Sequence, residues 1–130
     1  MSSRPCGYVA SPYTKGDPCI NTNFQMRVFD KIIDDGIVLP YMPLWSHFQH
    51  TAFPRPYEDW IAYDNEMIAS LDIKWILRLT AECGEYSESR SSGADAEVEL
   101  VKKLFPDAIV IIQNEEDDLE TVLMDLYSSL

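Results

Sequence analysis

Basic residues are scarce in this chain: ten Lys and Arg face 22 Asp and Glu, for a formal net charge of −12. Nucleic-acid polymers and anionic membrane surfaces recruit basic patches, so this balance argues against both as partners. A small phosphorylated ligand stays open, because it needs only local donors. No apolar run approaches the roughly 20 residues of a membrane-spanning helix. The opening Met1-Ser2-Ser3-Arg4-Pro5 lacks the apolar stretch of a secretory signal. Cys6, Cys19 and Cys83 are odd in number, irregularly spaced and without a CxxC. They form no disulfide framework, and a reducing, cytoplasmic setting is the expectation. His47 and His50 have no acidic or thiol partner at metal-ligand spacing, so no metal site is expected. GxGxxG, GxxxxGK[ST] and GxSxG are all missing. Their absence disfavours a dinucleotide site, a P-loop and a hydrolase nucleophile elbow.

What is present reads as one globular domain over residues 1–130. Hydrophobic residues make up 46% of the chain and aromatics 12%, enough for a core without disulfide or metal staples. Cys6 to Ala10 reads as a first strand, followed by a Pro- and Gly-bearing loop. Phe24, Val28, Ile32 and Ile33 recur at helical spacing and predict a helix from about Asn21 to Asp35, ended by Gly36. Ile37-Val38-Leu39 predicts a second strand that stops at Pro40. Pro40 to Pro56 is expected to be a long aromatic loop acting as a lid, a binding wall, a subunit interface or padding over the sheet. A helix over about Tyr57 to Ser70 and a third strand over Asp72 to Leu79 come next. Ser92 to Phe105 predicts another helix. Asp107 to Ile112 is almost fully apolar, the pattern of a strand buried on both faces. Leu119, Val122, Leu123 and Leu126 mark a last helix.

Alternating βαβαβαβα predicts a three-layer α/β sandwich, a mostly parallel sheet with helices on both faces. Right-handed crossovers make 2-1-3-4 the simplest strand order, in the manner of flavodoxin- and Rossmann-like sheets, with room for a fifth strand. The switch point then lies between the first and third strands, and ligands bind there at the carboxyl ends. Two segments converge on that point, Ser11 to Lys15 and Thr80 to Ser92. The second runs into the helix that carries Asp95 in its first turn and Glu97 one turn in. A helix start offers free N–H groups and a positive dipole end, which suit an anion. The polar groups expected around the switch point are Tyr8, Ser11, Tyr13, Asp64, Ser91, Ser92 and Glu97. One carboxylate with several hydroxyls suits covalent or general-base chemistry on a sugar. Glu99 lies about 200° round the helix from Glu97, so only one of the two can face the pocket.

Tyr8-Val9-Ala10-Ser11-Pro12-Tyr13-Thr14 resembles the opening of nucleoside 2-deoxyribosyltransferase-like proteins. Tyr63-Asp64 with Asp72 eight residues after Asp64 is similar to that family's helix-to-strand element. Ser91-Ser92-Gly93-Ala94-Asp95-Ala96-Glu97 resembles its catalytic loop. The resemblance spans roughly residues 6 to 113 and rests on the order and spacing of short pieces. It implies Glu97 as a nucleophile toward the anomeric carbon, with a purine or pyrimidine leaving. It implies Asp64 on the sugar hydroxyls or orienting Glu97, and Tyr8 positioning the carboxylate. Ser11, Tyr13, Ser91, Ser92 and Gly93 would line the substrate. Ser at position 91 is similar to the nucleoside-5′-monophosphate N-glycosidases, where a hydroxyl rather than a carboxylate suits a 5′-phosphate. No cofactor is implied, and a homodimer or higher homo-oligomer is. The chain departs from the family in its Ser-Pro-Tyr first loop and in Val98-Glu99 after the candidate nucleophile. A non-catalytic nucleotide or nucleotide-sugar sensor of the same fold is the alternative.

Overall fold

The computed structural model describes residues 4–11, 18–43, 45–79, 92–114 and 117–130. Its elements in chain order are β1 (Cys6–Ala10), α1 (Pro18–Asp35), β2 (Leu39–Tyr41), α2 (Trp45–Ala52), α3 (Tyr57–Ser70), β3 (Trp75–Arg78), α4 (Ser92–Leu104), β4 (Ile109–Ile112) and α5 (Leu119–Ser129). The four strands are parallel throughout, in the order β2-β1-β3-β4. This is the order expected from right-handed crossovers, and no fifth strand occurs among the described residues.

Strand alternation divides the core into two layers. Val9, Trp75 and Leu77 face α1 and α5, where they pack with Val28, Ile32, Val122, Leu123 and Leu126. Tyr8, Ala10 and Ile76 point the other way, toward Ile68 of α3 and Ala94, Val98 and Val101 of α4. Each fully buried aliphatic chain among them contributes roughly 1.5–3 kcal/mol. Gly7 serves the first layer through its missing side chain. It pairs in register with Trp75, whose indole occupies the space a methyl group on Gly7 would need. Trp75 is fully buried and its Nε1 donates to the Pro5 carbonyl at 3.0 Å.

Three expectations need correction. The second strand lies over Leu39–Tyr41 rather than Ile37 to Leu39, so Pro40 is inside it and buried. Leu39 N–H donates to the Pro5 carbonyl at 2.9 Å, so the next residue's nitrogen faces away from β1. On this edge strand a missing N–H at Pro40 costs no ladder bond. The aromatic segment is not one long loop, since α2 forms within it. The strand over Ile109–Ile112 is an edge strand with β3 on one side only. Its side chains reach both core layers but are only partly buried, and Ile112 is 51% exposed. The helix ends were clearer. Gly36 stops α1 at φ 69°, a conformation glycine adopts without a Cβ penalty.

Candidate functional site

The order β2-β1-β3-β4 places the switch point between β1 and β3, because the chain leaves β1 toward one edge and returns to build the other. Helix α3 precedes β3 and runs antiparallel to it, so its first turns lie at the carboxyl end of the sheet. Helix α4 follows β3 and starts at that same end. Two side chains on these helices and one on β1 meet beneath it.

Tyr8 sits mid-β1, 1% exposed, on the face covered by α3 and α4. Its hydroxyl donates a hydrogen bond to Glu97 Oε2. Glu97 lies one turn above the buried Val101 and beside Val98, on the sheet-facing side of α4. Asp64 belongs to α3, one turn before the fully buried Ile68, which puts it on the stripe facing the same layer. Asp64 is partly buried, and its charge acts on Glu97, Tyr8 and Tyr41. The Tyr41 ring closes the group from β2, with its centroid 5.8 Å from that of Tyr8 and the planes 36° apart.

The electrostatics follow from acid groups crowded in a poorly solvated place. Burial pushes the Glu97 carboxyl up to about 8, the negative charge of Asp64 adds to the rise, and the Tyr8 hydrogen bond opposes it. Burial raises Asp64 to about 6. Tyr8 is held well above the ordinary phenol value by burial, then by the charges of Glu97 and Asp64. Burial, Tyr63 and Asp64 raise Tyr41 in turn. Such shifts mark sites where proton transfer or nucleophilic attack is prepared, and also buried structural networks. Near neutral pH Asp64 is mostly ionised, while Glu97 is mostly protonated in the ligand-free protein.

The structure brings together Tyr8, Asp64 and Glu97, the three residues expected to do chemistry. Ser11 follows β1 directly and is partly buried at the carboxyl edge. Tyr13 and Ser91 lie outside the described residues. Ser92 and Gly93 open α4 in the backbone, and the Ser92 side chain is also outside that set. Glu99 points away, exposed and paired with Lys102 at 3.4 Å, as the helical angle requires. Asp72 is exposed and paired with Lys74 at 3.2 Å, a surface position before β3. His50 accepts from Trp60 Nε1 at 3.0 Å and Arg55 N at 3.1 Å on its Nδ1, which makes it a tie between α2 and α3. Phe48 and Phe53 of the aromatic segment are exposed.

Two residues of the region escaped the sequence reading. Tyr41 was assigned to the loop after Pro40 and is the last residue of β2. Arg78 was absorbed into an apolar strand. It is 5% exposed at the end of β3, and its Nε donates to Asp95 Oδ1 at 3.1 Å. A basic residue set between the apolar Leu77 and Leu79 was the available signal, since a strand buried on both faces tolerates a charge only with a partner.

Among the described residues no group of three or more His, Cys, Asp or Glu is placed to hold a metal ion, and no helix is long and apolar enough to cross a membrane. The chain defines a parallel α/β sandwich with an acidic, tyrosine-lined cluster under the switch point. Comparison with protein-family models, curated proteins and solved structures finds no match in any of the three.

Proposed function

We propose that this protein cleaves or transfers the N-glycosidic bond of a (deoxy)nucleoside or nucleoside 5′-monophosphate, with Glu97 as the nucleophile. The observation that carries the reading is the Tyr8 hydrogen bond to Glu97, with Asp64 beside the pair. A carboxylate held by a buried phenol has a fixed rotamer and one oxygen left to approach a carbon. Attack of that oxygen on the anomeric carbon forms a glycosyl ester as the bond to the base nitrogen breaks and its electron pair leaves with the base. Water, or a second base, then resolves the ester. Asp64 is suited to the sugar hydroxyls, which an ionised carboxylate binds as an acceptor. The α4 start suits a 5′-phosphate through its N–H groups. Soluble small molecules as substrates, a cytoplasmic setting and a homo-oligomeric state belong to the same proposal.

The test is incubation with a panel of nucleosides and their 5′-monophosphates, followed by chromatography for free base. Base release by the wild type and none by Glu97→Gln, with folding and ligand binding kept, is the expected result. Turnover retained in Glu97→Gln would end the assignment. One observation favours a second reading, a nucleotide or nucleotide-sugar sensor: Glu97 is pushed up to about 8, and a protonated carboxyl donates to hydroxyls but does not attack carbon. Binding without base release across the panel selects that reading.

A further inference from the structure

Arg78 is the one charged residue of a strand whose other members are Trp75, Ile76 and Leu77. Burying a guanidinium is costly unless it is paired and hydrogen-bonded. Here Nε donates to Asp95 Oδ1 at 3.1 Å, and Nη1 donates to the Leu79 carbonyl at 2.7 Å. Asp95 lies in the first turn of α4, two residues before Glu97, and its side chain is half exposed. An aspartate there would be content with solvent and the helix dipole. The pair therefore exists on account of the buried Arg78.

Register sets the geometry. Tyr8 pairs with Ile76, and Ala10 pairs with Arg78. The Tyr8–Glu97 and Arg78–Asp95 contacts thus lie on one face of the sheet, two residues apart along adjacent strands, or about 6–7 Å. Ala94 and Val98 are buried between them. The Tyr8–Glu97 bond ties α4 to β1, and the apolar packing of Ala94, Val98 and Val101 on the sheet is non-directional, so the roll of α4 about its axis is only weakly set by them. A second, directional contact to β3 removes that freedom, and arginine suits the task because its planar fork fixes the donor directions.

We infer that the Arg78–Asp95 pair is a positioning device that locks the first turns of α4 onto β3 and so holds the Glu97 carboxylate on the Tyr8 hydroxyl. For its effect on turnover the inference rests on the proposed role of Glu97. For its effect on geometry it does not. A misplacement of about 1 Å at a reacting group costs on the order of 10²-fold in rate.

The experiment follows Glu97 itself, by ¹³C NMR of protein labelled at the glutamate Cδ, with its resonance assigned as the one lost in Glu97→Gln. In the wild-type background, Tyr8→Phe raises the Glu97 titration midpoint, because the hydroxyl that favours the carboxylate is gone. Asp95→Asn weakens the pair, and Arg78→Lys keeps the charge without the fork. In both, Glu97 titrates above its wild-type midpoint and added Tyr8→Phe moves it little further. Asp95→Glu, which can still reach the guanidinium, restores most of the wild-type behaviour. In base release, kcat falls about 10²-fold in Asp95→Asn while KM stays nearly constant. A wild-type Glu97 midpoint in folded Asp95→Asn and Arg78→Lys, with Tyr8→Phe still acting in full, overturns the inference. If Asp95→Asn does not fold, as read by circular dichroism, Arg78→Lys and Asp95→Glu decide the question. If the wild type releases no base from any substrate, the proposed function fails, and the titrations still decide the positioning.

Discussion

The Tyr8 hydroxyl of β1 donates to Glu97 Oε2 of α4, a contact between residues 89 positions apart. It favours the charged form of Glu97, against burial and the charge of Asp64. Tyr8→Phe removes it. The Glu97 midpoint then rises above about 8, and base release at neutral pH falls. A hydrogen bond to a charged group is worth about 1.5–3 kcal/mol, or roughly 10- to 100-fold in rate. The check is kcat/KM against pH. With Glu97 as the nucleophile, the wild type should rise with pH around a midpoint near 8, as Glu97 ionises, and Tyr8→Phe should shift that rise to higher pH. An unshifted profile in Tyr8→Phe would separate the tyrosine from the reaction.

Asp64 acts on Glu97 in the opposite sense, because its negative charge disfavours a second one nearby. Asp64→Asn therefore lowers the Glu97 midpoint and moves the rise of kcat/KM to lower pH. If Asp64 also accepts hydrogen bonds from the sugar, KM rises in the same variant while kcat at alkaline pH is less affected. Steady-state kinetics on one nucleoside and its 2′-deoxy form read both effects. A profile that moves without any change in KM would leave Asp64 an electrostatic neighbour and no more.

Glu97 also sets a pH dependence of stability. Its carboxyl is raised from 4.5 to about 8 on folding, so between these values the folded protein binds more protons than the unfolded chain. Stability is then greatest at the acidic end of that window and falls as pH rises through it. At about 1.4 kcal/mol per unit, the loss is on the order of 4–5 kcal/mol at most. Asp64, raised from 3.8 to about 6, adds a loss of the same sign over a lower window. Glu97→Gln keeps an acceptor for Tyr8 and cannot ionise. Urea unfolding should show the variant more stable than the wild type at pH 8.5, with a flatter profile between about pH 5 and 8. Equal slopes in the two proteins would show that Glu97 is ionised without penalty.

Much of this was legible in the sequence for identifiable reasons. Periodicity marked α3 and α5, Gly36 marked the end of α1, and alternation of elements with right-handed crossovers led to the strand order. That order, with Glu97 one turn into the helix after β3, put the carboxylate under the switch point. The misreadings share a cause, which is that local signals do not report the neighbouring strand. Pro40 looked like a stop because a proline cannot donate, but on an edge strand its nitrogen faces away from β1. The apolar run ending at Ile112 looked doubly buried, yet nothing in it states that no strand follows on its outer side. Arg78 passed as one more member of the third strand, and only the placement of α4 supplies its partner Asp95.

The position of β1, and therefore of Tyr8, depends on the layer opposite the site. Gly7 and Trp75 are register partners, and the indole fills the place of a Gly7 side chain. Trp75 has no spare room, since it is fully buried and its Nε1 is committed to the Pro5 carbonyl. Gly7→Ala must therefore push the indole or β1 itself, and overpacking of this kind costs about 1–3 kcal/mol, occasionally more. Because Tyr8 is the next residue, a shift of β1 also moves its hydroxyl relative to Glu97, so activity should fall along with stability. Trp75→Leu removes the colliding ring at the cost of a cavity. Combined with Gly7→Ala it should cost less than the sum of the two single changes, the signature of residues sharing one space. Thermal or urea unfolding of the four proteins measures this coupling, and simple additivity would mean that the Gly7 methyl finds room elsewhere.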